Sequence, residues 1–245
     1  MRLKCEFKTE KIPVAYQFMF VSLIKEALKI SNEDYYQKLY FYDGDKKNKK
    51  SKNFCFSVYI SGFKKEANIF KVEDKVILYI SSPDYEFAFN LYNGLLKMKN
   101  FNYKKEYKLT KKSIILVKEK NINNTEVIFN ALSPICIKDI DNKPLDINEI
   151  EFLKELNYIT DKILKNYRGY GLNKKLQFIP LKMKKRVVKE YIKNFENNTG
   201  KKDYYINGYM GIFKLIGDIE DLKDIYNLGL GFKRSQGFGM IEVLS

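Results

Sequence analysis

The chain has 245 residues, 45% of them hydrophobic, which is enough for one large or two small packed cores without disulfides or metals. Its formal net charge of +15 at pH 7 predicts a polyanionic partner. Nucleic acid is favoured over an anionic membrane because no basic amphipathic helix with a bulky apolar side is evident. No segment has the apolar run of a signal peptide or a membrane span, so we expect a cytoplasmic protein without membrane contact.

The first half of the chain predicts the order strand, helix, strands, helix, strand. Residues 2–7 alternate as a strand, and Pro13 begins a helix whose apolar face continues to about Ile30, before a polar, lysine-rich stretch. Further strands are predicted at residues 54–60, 67–71 and 75–80, a second helix starts at Pro83-Asp84, and residues 103–117 supply the last strand. This order is the split βαβ pattern of a ferredoxin-like domain.

The second half repeats this order after a polar linker at residues 118–125. The predicted elements are strand 126–137, helix 147–167, strand 176–193, strand 204–215, helix 218–227 and strand 239–244. We therefore expect an α+β chain of two tandem ferredoxin-like (RRM-like, βαββαβ) domains, residues 1–120 and 121–245. A C-terminal glycine-rich loop is expected at residues 229–239.

The most informative segment of the chain is Gly229-Leu230-Gly231-Phe232-Lys233-Arg234-Ser235-Gln236-Gly237-Phe238-Gly239. Two Gly-hydrophobic-Gly units flank five residues that carry two adjacent cations. Such a backbone is able to turn sharply and to present bare N–H groups beside fixed positive charge, which suits a phosphate backbone. The alternative is a purely structural turn between a helix and a closing strand.

The symmetrical spacing of this segment resembles the C-terminal signature of the sixth Cas family, the CRISPR-associated endoribonucleases of the RAMP superfamily that cut precursor CRISPR RNA. Further resemblances follow in the family's order: Ile12-Pro13, Phe54-Cys55-Phe56-Ser57, Asn93-Gly94-Leu95-Leu96 and Leu132-Ser133-Pro134-Ile135. The resemblance implies binding of CRISPR repeat RNA, expected as a stem-loop, a role in antiviral defence, and a Cas interference complex as a further partner. It also implies metal-independent cleavage, in which a ribose 2′-hydroxyl attacks the adjacent phosphate and leaves 2′,3′-cyclic phosphate and 5′-hydroxyl ends.

The chain departs from this family at the catalytic position, because it contains no histidine. Members usually use a histidine as general base, and counting forward from Ile12-Pro13 without gaps places Tyr40 there. The same register places Lys25 where members often carry a tyrosine, and Lys52 is the lysine before the Phe-x-Phe-Ser strand. We therefore nominate Tyr40, Lys25 and Lys52 as catalytic residues, with no metal and no cofactor.

The missing histidine predicts slow cleavage. An unperturbed tyrosine or lysine has a pKa near ~10, so roughly one in a thousand is in the base form at pH 7. General acid–base catalysis contributes ~10²–10⁴-fold, unless clustered lysines depress one another's pKa or that of Tyr40. Four alternatives stay open. Tyr40 is packed among neighbouring aromatic rings, or it stands where an original histidine was replaced. The protein is a weak or inactive repeat-RNA-binding subunit of a Cas ribonucleoprotein, or an unrelated basic RNA-binding protein.

Three basic clusters stand out from the lysine background. The first is residues 46–52, behind the turn Asp43-Gly44-Asp45; the second follows Pro180 in a predicted strand; the third lies inside the glycine-rich segment. Alternation along the strand would put Lys182, Lys184 and Arg186 on one face. The residues that we nominate for RNA binding are Lys182, Lys184, Lys185, Arg186, Gly229, Gly231, Lys233, Arg234, Gly237 and Gly239.

The three cysteines, Cys5, Cys55 and Cys136, are far apart and show no C-x-x-C spacing. This pattern argues against a zinc site and against a disulfide framework. We expect them to be thiols of the core. The oligomeric state stays open.

Overall fold

The structure, a computed structural model, describes residues 1–42, 46–48, 50–190 and 204–244. The chain divides into two compact units, the first formed by Met1–Lys52 and Val58–Lys118, the second by Asn53–Ser57 and Glu119–Ser245. Three parts of the predictions lie outside the described residues: the turn at residues 43–45, Lys49 of the first basic cluster, and the strand end at residues 191–193.

The first unit contains one large antiparallel sheet and one short hairpin. The strands are β1 (Arg2–Lys8), β2 (Lys11–Pro13), β3 (Phe41–Tyr42), β4 (Lys46–Lys47), β5 (Cys55–Glu66), β6 (Ile69–Ser81), β7 (Asn100–Tyr103) and β8 (Tyr107–Val117). Strand β5 belongs to this unit from Val58 onwards. Hydrogen bonding gives the order β5-β6-β1-β8, with β7 beyond β8 and β2 also paired to β6. Strands β3 and β4 form a two-stranded sheet of their own.

Three helices accompany these strands: α1 (Gln17–Ser31), α2 (Glu33–Tyr40) and α3 (Tyr85–Lys97). Helices α1 and α3 pack closely, and Gly94 permits this because a Cβ there would lie 1.8 Å from the carbonyl oxygen of Ala27. The strand order β5-β6-β1-β8 with α1 and α3 as the two crossovers is that of a ferredoxin-like βαββαβ domain.

The second unit repeats this topology. Its elements are β9 (Glu126–Ile135), α4 (Ile150–Arg168), β10 (Gln177–Glu190), β11 (Tyr204–Ile216), α5 (Ile219–Leu228) and β12 (Ile241–Val243), in the sheet order β10-β11-β9-β12. Stacked rings tie the sheet together, since the Phe213 centroid lies 5.8 Å from that of Phe129 and 5.0 Å from that of Phe178. The prediction of an α+β chain with two ferredoxin-like domains is confirmed.

Arg168 fastens the end of α4 to α5. Its guanidinium donates to Asp221 and, at 2.8 Å, to Oδ2 of Asp224. Asp221 is fully buried and also accepts the backbone N–H of Asn173 at 2.9 Å. Because both partners of this ion pair have further hydrogen bonds, their desolvation is offset, and Arg168 has a structural role.

Two local predictions are wrong in the first unit. Pro13 does not begin α1; it ends the short strand β2, opposite Ile69, and the helix starts at Gln17. A fixed φ suits an edge strand as well as a first helical turn, and the burial of Ile12 favours the strand. The strands predicted at 67–71 and 75–80 are the single strand β6, which begins after a turn in which Ala67 has φ 46°.

Helix α2 is an element that the sequence analysis missed. Asn32 caps it, since its side-chain oxygen accepts the N–H of Tyr35 at 3.0 Å, and Glu33 and Asp34 occupy the first turn. A cap followed by two acidic residues is a regular start signal for a helix. The signal was present in the sequence, inside a stretch that looked only polar.

Candidate functional site

Tyr40 is the last residue of α2, and three side chains surround its ring. The Nζ of Lys25 lies 4.6 Å from the centroid of the Tyr40 ring, and the Nζ of Lys52 lies 5.7 Å from it. The ring of Tyr36, one helical turn earlier, lies 5.4 Å away between centroids. The structure thus brings together the three residues nominated as catalytic, here called the Tyr40 cluster.

The turn at Asn32 explains how Lys25 and Tyr40 meet. Asn32 is at once the C-cap of α1, where its N–H bonds the carbonyl of Leu28 at 2.8 Å, and the N-cap of α2. Because a single residue joins the two helices, α2 folds back and packs against α1. Lys25 on α1 and Tyr40 in the last turn of α2 are therefore brought into contact.

The segment before β5 holds Lys52 in position. Its ammonium group donates to the carbonyl oxygens of Asn48 and Lys50, both at 3.0 Å. The backbone N–H of Asn48 in turn bonds the carbonyl of Tyr40 at 2.8 Å. The two ends of the loop from Tyr40 to Lys52 are thereby fastened to each other.

Burial raises the pKa of Tyr40 and lowers the pKa of Lys52. Loss of water raises the pKa of Tyr40, and the neighbouring Tyr36 raises it further. Loss of water also lowers the pKa of Lys52, and the positive charge of Lys25 adds to this effect. In each case the neutral form is favoured, as expected where water is excluded.

Of the two effects considered from the sequence, the lysines do not depress the pKa of Tyr40, whereas Lys25 does help to depress the pKa of Lys52. The two ammonium groups do not offset the loss of water around the phenolate. Tyr40 keeps its proton at neutral pH and is able to donate a hydrogen bond. The depressed pKa belongs to Lys52, which is consequently the group in this cluster better suited to accept a proton.

The basic row on β10 lies on an exposed part of the sheet. After a bulge between Pro180 and Lys182, the strand pairs in regular register with β11. Met183 packs against the core of the second unit, so its neighbours in the strand point the other way. The exposed side chains on the face opposite Met183 are Lys182, Lys184 and Arg186. Lys185 is also exposed but shares the face of Met183.

The four glycines at 229, 231, 237 and 239 all have positive φ, at 80°, 84°, 86° and 67°. A Cβ on Gly229 would lie 2.8 Å from the Cβ of Cys55, and one on Gly231 would lie 2.7 Å from the carbonyl oxygen of Cys136. One on Gly239 would lie 1.9 Å from the carbonyl oxygen of Leu230. These glycines are required by backbone conformation and by close packing within the unit.

The expectation that the glycines present bare N–H groups to a phosphate is wrong for three of them. The N–H of Gly229 bonds the carbonyl of Ile225 at 2.8 Å, that of Gly237 bonds Arg234 at 3.3 Å, and that of Gly239 bonds Pro134 at 2.9 Å. All four glycines are also buried. The geometry of these three glycines matches the alternative of a structural turn between α5 and β12.

The two cations of this segment occupy different environments. Arg234 is only 4% exposed; its Nη1 donates to the carbonyl of Leu228 at the end of α5, and burial lowers its pKa to about 10. The structure therefore does not place Arg234 where a solvent-exposed phosphate would reach it. Lys233 is partly exposed, with φ 60°, and its Nζ bonds Oε1 of Gln236 at 3.1 Å.

Glu190 is a residue of this region that the sequence analysis missed. It is fully buried at the end of β10, with Oε2 3.6 Å from the Nζ of Lys233. Burial raises the pKa of its carboxyl, and Lys233 opposes that rise. The one available signal was that Glu190 is the only acid in an otherwise basic strand.

Within the described ranges, no helix is long and apolar enough to cross a membrane. Nor do Cys, Asp and Glu side chains of those ranges form any group of three or more that would hold a metal ion. Cys5, Cys55 and Cys136 are buried and form no disulfide, as expected for thiols of the core.

Family comparisons agree over nearly the whole chain. The family model described as "CRISPR associated protein Cas6, C-terminal" matches residues 117–243, and "CRISPR-associated protein Cas6, N-terminal" matches residues 11–119. The chain is 28% identical over 253 residues to "CRISPR-associated endoribonuclease Cas6 1" of Methanocaldococcus jannaschii, covering 98% of this chain and 92% of the relative. It is 26% identical over 179 residues to "Putative CRISPR-associated endoribonuclease-like protein Cas6" of Pyrococcus furiosus, covering 73% and 72%.

Solved structures share the fold along the full chain. One described as "Characterization of a Cas6-related gene from Pyrococcus furiosus" has a TM-score of 0.80 at 24% identity, covering 100% of this chain and 98% of that one. Another, "An RAMP protein binding different RNA substrates", has a TM-score of 0.79 at 22% identity and covers 100% of both chains. A third, "CRISPR associated protein Cas6", has a TM-score of 0.73 at 25% identity, covering 100% and 99%. Because one family model alone matches more than half of the residues, this chain belongs to the Cas6 family of CRISPR-associated proteins.

Proposed function

We propose that the chain binds CRISPR repeat RNA and cleaves precursor CRISPR RNA within the repeat. Membership of the Cas6 family supports this, as does the relative from M. jannaschii named as an endoribonuclease. The net charge of +15 supports a polyanionic substrate. The observation that carries the proposal is the convergence of Lys25 and Lys52 on the ring of Tyr40, at 4.6 and 5.7 Å.

The proposed cleavage is an internal transfer at phosphorus that needs no metal. The ribose 2′-oxygen forms a bond to phosphorus and gives its proton to a base of the protein, while the bond to the 5′-oxygen breaks and that oxygen takes a proton from water. The products are a 2′,3′-cyclic phosphate and a 5′-hydroxyl. The protein has to align the attacking and leaving oxygens and to stabilise the negative charge that develops on the phosphate.

The three side chains of the Tyr40 cluster divide this work by their ionisation. Lys52, with its depressed pKa, has an enlarged neutral fraction and takes the proton of the 2′-hydroxyl. Tyr40 stays protonated and donates a hydrogen bond to a phosphate oxygen. Lys25 supplies a positive charge 4.6 Å from the Tyr40 ring, close enough to stabilise the same phosphate. We expect the reaction to be slow because the ordinary pKa of a lysine lies far above neutral pH.

We propose that phosphates along the rest of the RNA contact the exposed cations of the second unit. The proposed contacts are Lys182, Lys184, Lys185, Arg186 and Lys233. Each ammonium or guanidinium that neutralises a phosphate steepens the salt dependence of binding. Arg234 and the four glycines serve the site indirectly, by fixing the segment that carries Lys233. A stem-loop repeat as the substrate, a Cas interference complex as a further partner and the cytoplasm as the location are also part of the proposal.

A second candidate function is a repeat-RNA-binding subunit with little or no cleavage. It is favoured by the raised pKa of Tyr40 and by the absence of histidine from the sequence. The relative from P. furiosus, which is named "endoribonuclease-like", is consistent with it. The two functions share the RNA-binding surface and differ in whether a product forms.

The test is incubation of the full chain with the repeat RNA of its own CRISPR locus in EDTA, following binding, product size and end chemistry. We expect slow formation of a 2′,3′-cyclic phosphate end. The cleavage rate should fall by about 10²-fold or more in Lys52→Met, which removes the base. It should fall by about 10²-fold in Tyr40→Phe, which removes one hydrogen-bond donor to the phosphate. Tyr59→Phe, on an exposed tyrosine of β5, is the matched control. Binding without product, with cleavage appearing in Tyr40→His, would establish the binding subunit instead. Failure to bind the repeat would contradict both functions.

A further inference from the structure

A cavity of about 500 Å³ lies beside the last turn of α2. Of the residues that the structure describes, Lys38, Phe41, Tyr42, Asn48 and Lys50 line it. Its volume is within the ~300–1,000 Å³ typical of small-ligand sites. We call it the Tyr42 pocket.

The pocket combines an aromatic wall with cations. Tyr42 is 54% exposed, so one large ring is open to a ligand, whereas the ring of Phe41 packs edge-on against Tyr36 with centroids 5.9 Å apart. A single exposed tyrosine would be ordinary. Here the ring shares a concave site with the side chains of Lys38 and Lys50, and that combination is typical of sites for single-stranded nucleic acid.

Local hydrogen bonds shape the pocket before any ligand arrives. The side-chain amide of Asn48 joins two other lining residues, with Oδ1 accepting the N–H of Lys50 at 3.0 Å and Nδ2 donating to the carbonyl of Lys38 at 3.5 Å. Pairing of β3 with β4 sets Tyr42 opposite Lys46. A site whose walls are already fixed loses less entropy when it binds a ligand.

The same residues connect the pocket to the Tyr40 cluster. Asn48 gives its N–H to the carbonyl of Tyr40 at 2.8 Å and its own carbonyl to the ammonium of Lys52 at 3.0 Å. Tyr42 follows Tyr40 by two residues, a reach of at most ~7 Å along the chain. Asn48 thus lines the pocket and also bonds two residues of the Tyr40 cluster.

We propose that the Tyr42 pocket binds one unpaired RNA nucleotide, whose base stacks on the Tyr42 ring while Lys38 and Lys50 contact its flanking phosphates. A base inside a duplex has both faces covered, whereas an unpaired nucleotide can be splayed out to offer a face to the ring. This inference rests on the proposed binding of repeat RNA, and it makes Tyr42 a determinant of where the RNA is placed.

The first experiment measures RNA affinity for the full chain and three variants. Base stacking on an aromatic side chain predicts that Tyr42→Ala weakens repeat binding by about 5- to 150-fold. Tyr42→Phe should bind like the original chain because the ring is kept. Tyr59→Ala, at a tyrosine 58% exposed on β5 of the same unit, controls for loss of any surface tyrosine and should have no effect. Thermal unfolding of Tyr42→Ala checks that the exposed substitution leaves the fold intact.

The second experiment finds the nucleotide. Repeat RNAs with one abasic position each, placed in turn around the cleavage site, should reveal one position whose loss weakens binding to the original chain and has no further effect on Tyr42→Ala. A 2-aminopurine at that position should be quenched by the original chain and by Tyr42→Phe, but not by Tyr42→Ala. This fluorescence readout does not depend on cleavage.

Three results separate the outcomes. If the chain fails to bind its repeat RNA, the proposed function fails and this inference fails with it. If the chain binds and Tyr42→Ala binds equally well, the inference is overturned and the proposed function stands. If Tyr42→Ala binds weakly but every abasic position adds its own further loss, the ring acts through something other than a base, and the inference is likewise overturned.

Discussion

The glycine-rich segment at residues 229–239 and the Tyr40 cluster differ in how their polar groups are satisfied. In the segment, Gly229, Gly237 and Gly239 use their N–H groups internally, and Arg234 is buried on the carbonyl of Leu228. In the cluster, partly exposed side chains gather around a ring, and burial moves the pKa of Tyr40 up and that of Lys52 down.

This difference separates two kinds of sequence signal. Repeated glycines are conspicuous in a sequence because positive φ and close packing exclude other residues, so they report constraint on the backbone. A tyrosine and two lysines are ordinary in a chain that is rich in both, although their ionisation is what chemistry would use. The conspicuous segment is therefore expected to govern stability, and the inconspicuous cluster to govern reactivity.

The largest expected effect is that of Gly239→Ala on the stability of the second unit. The new Cβ would lie 1.9 Å from the backbone carbonyl oxygen of Leu230, at a φ of 67°. The atoms that the new Cβ meets belong to the backbone and not to a flexible side chain, so they cannot move aside easily. We expect a loss of about 4 kcal/mol or more in the free energy of unfolding, measured by urea denaturation.

Gly169→Ala is the matched control for that substitution. Gly169 has φ 91°, but nothing lies within 4 Å of the position that a Cβ would take there, so only the backbone strain of about 1 kcal/mol remains. Equal losses in the two variants would mean that conformation alone, rather than close packing, selects glycine at position 239.

The next effect compares two arginines of the second unit, one buried and one exposed. Arg234→Met leaves the buried carbonyl of Leu228 without this donor, and should cost about 1–3 kcal/mol of stability. Arg186→Met, on the exposed face of β10, should leave stability within about 0.5 kcal/mol. It should instead reduce the slope of log affinity for repeat RNA against log salt by about 1, if Arg186 contacts a phosphate. Denaturation and salt titration of both variants measure this; the reverse pattern would contradict the division between structural and binding cations.

The elements that were predicted well show which parts of the fold are determined by local sequence. Helices α3 and α5 were located to within a residue or two because Asp84 and Asp218 cap them, and a cap is a local signal. The outer part of β5, residues 61–66, and the residues that join the two predicted pieces of β6, 72–74, were missed because exposed strand residues need no alternation of polar and apolar side chains. Pro13 was misassigned because strand pairing with β6, a contact distant in sequence, decided its conformation.

The Tyr40 cluster shows the same limit of sequence-based prediction within a candidate site. Counting along the sequence nominated Lys25, Tyr40 and Lys52, and the structure brings them together. The directions of their pKa shifts were beyond that count, since desolvation depends on the packing of α1 against α2. The role of Glu190 was also not predictable from sequence, because it depends on the burial of the carboxyl beside Lys233.

A smaller effect, dependent on pH, is expected when Lys233 is removed. Burial gives the carboxyl of Glu190 a raised pKa in the folded chain, so its favourable contribution to stability is complete below the unfolded pKa of about 4.3 and is lost as pH rises through the folded value. Lys233 opposes that rise, so Lys233→Met should raise the pKa of Glu190 further. The variant should match the original chain near pH 4 and lose about 1–3 kcal/mol by pH 7, where the carboxylate is left without its cation.

Glu190→Gln provides the control, because an amide does not titrate. In the Glu190→Gln background, Lys233→Met should have the same effect on the free energy of unfolding at pH 4 and pH 7. A pH-dependent loss that persists there would assign the effect to a group other than Glu190.

The smallest expected effect is a shift of the pH profile when Lys25 is replaced, and it returns to the Tyr40 cluster. Burial is the main cause of the depressed pKa of Lys52, and the charge of Lys25 is the second. Lys25→Met should therefore raise the pKa of Lys52 part of the way towards its ordinary value, and Lys25→Arg, which keeps the charge, should not. Carbon-13 NMR of labelled lysine follows this titration directly. If neutral Lys52 accepts the 2′-hydroxyl proton, the rising limb of the cleavage rate must move to higher pH by the same amount. A titration that moves without the rate profile would remove Lys52 from the proton-transfer role and leave it a charge beside Tyr40.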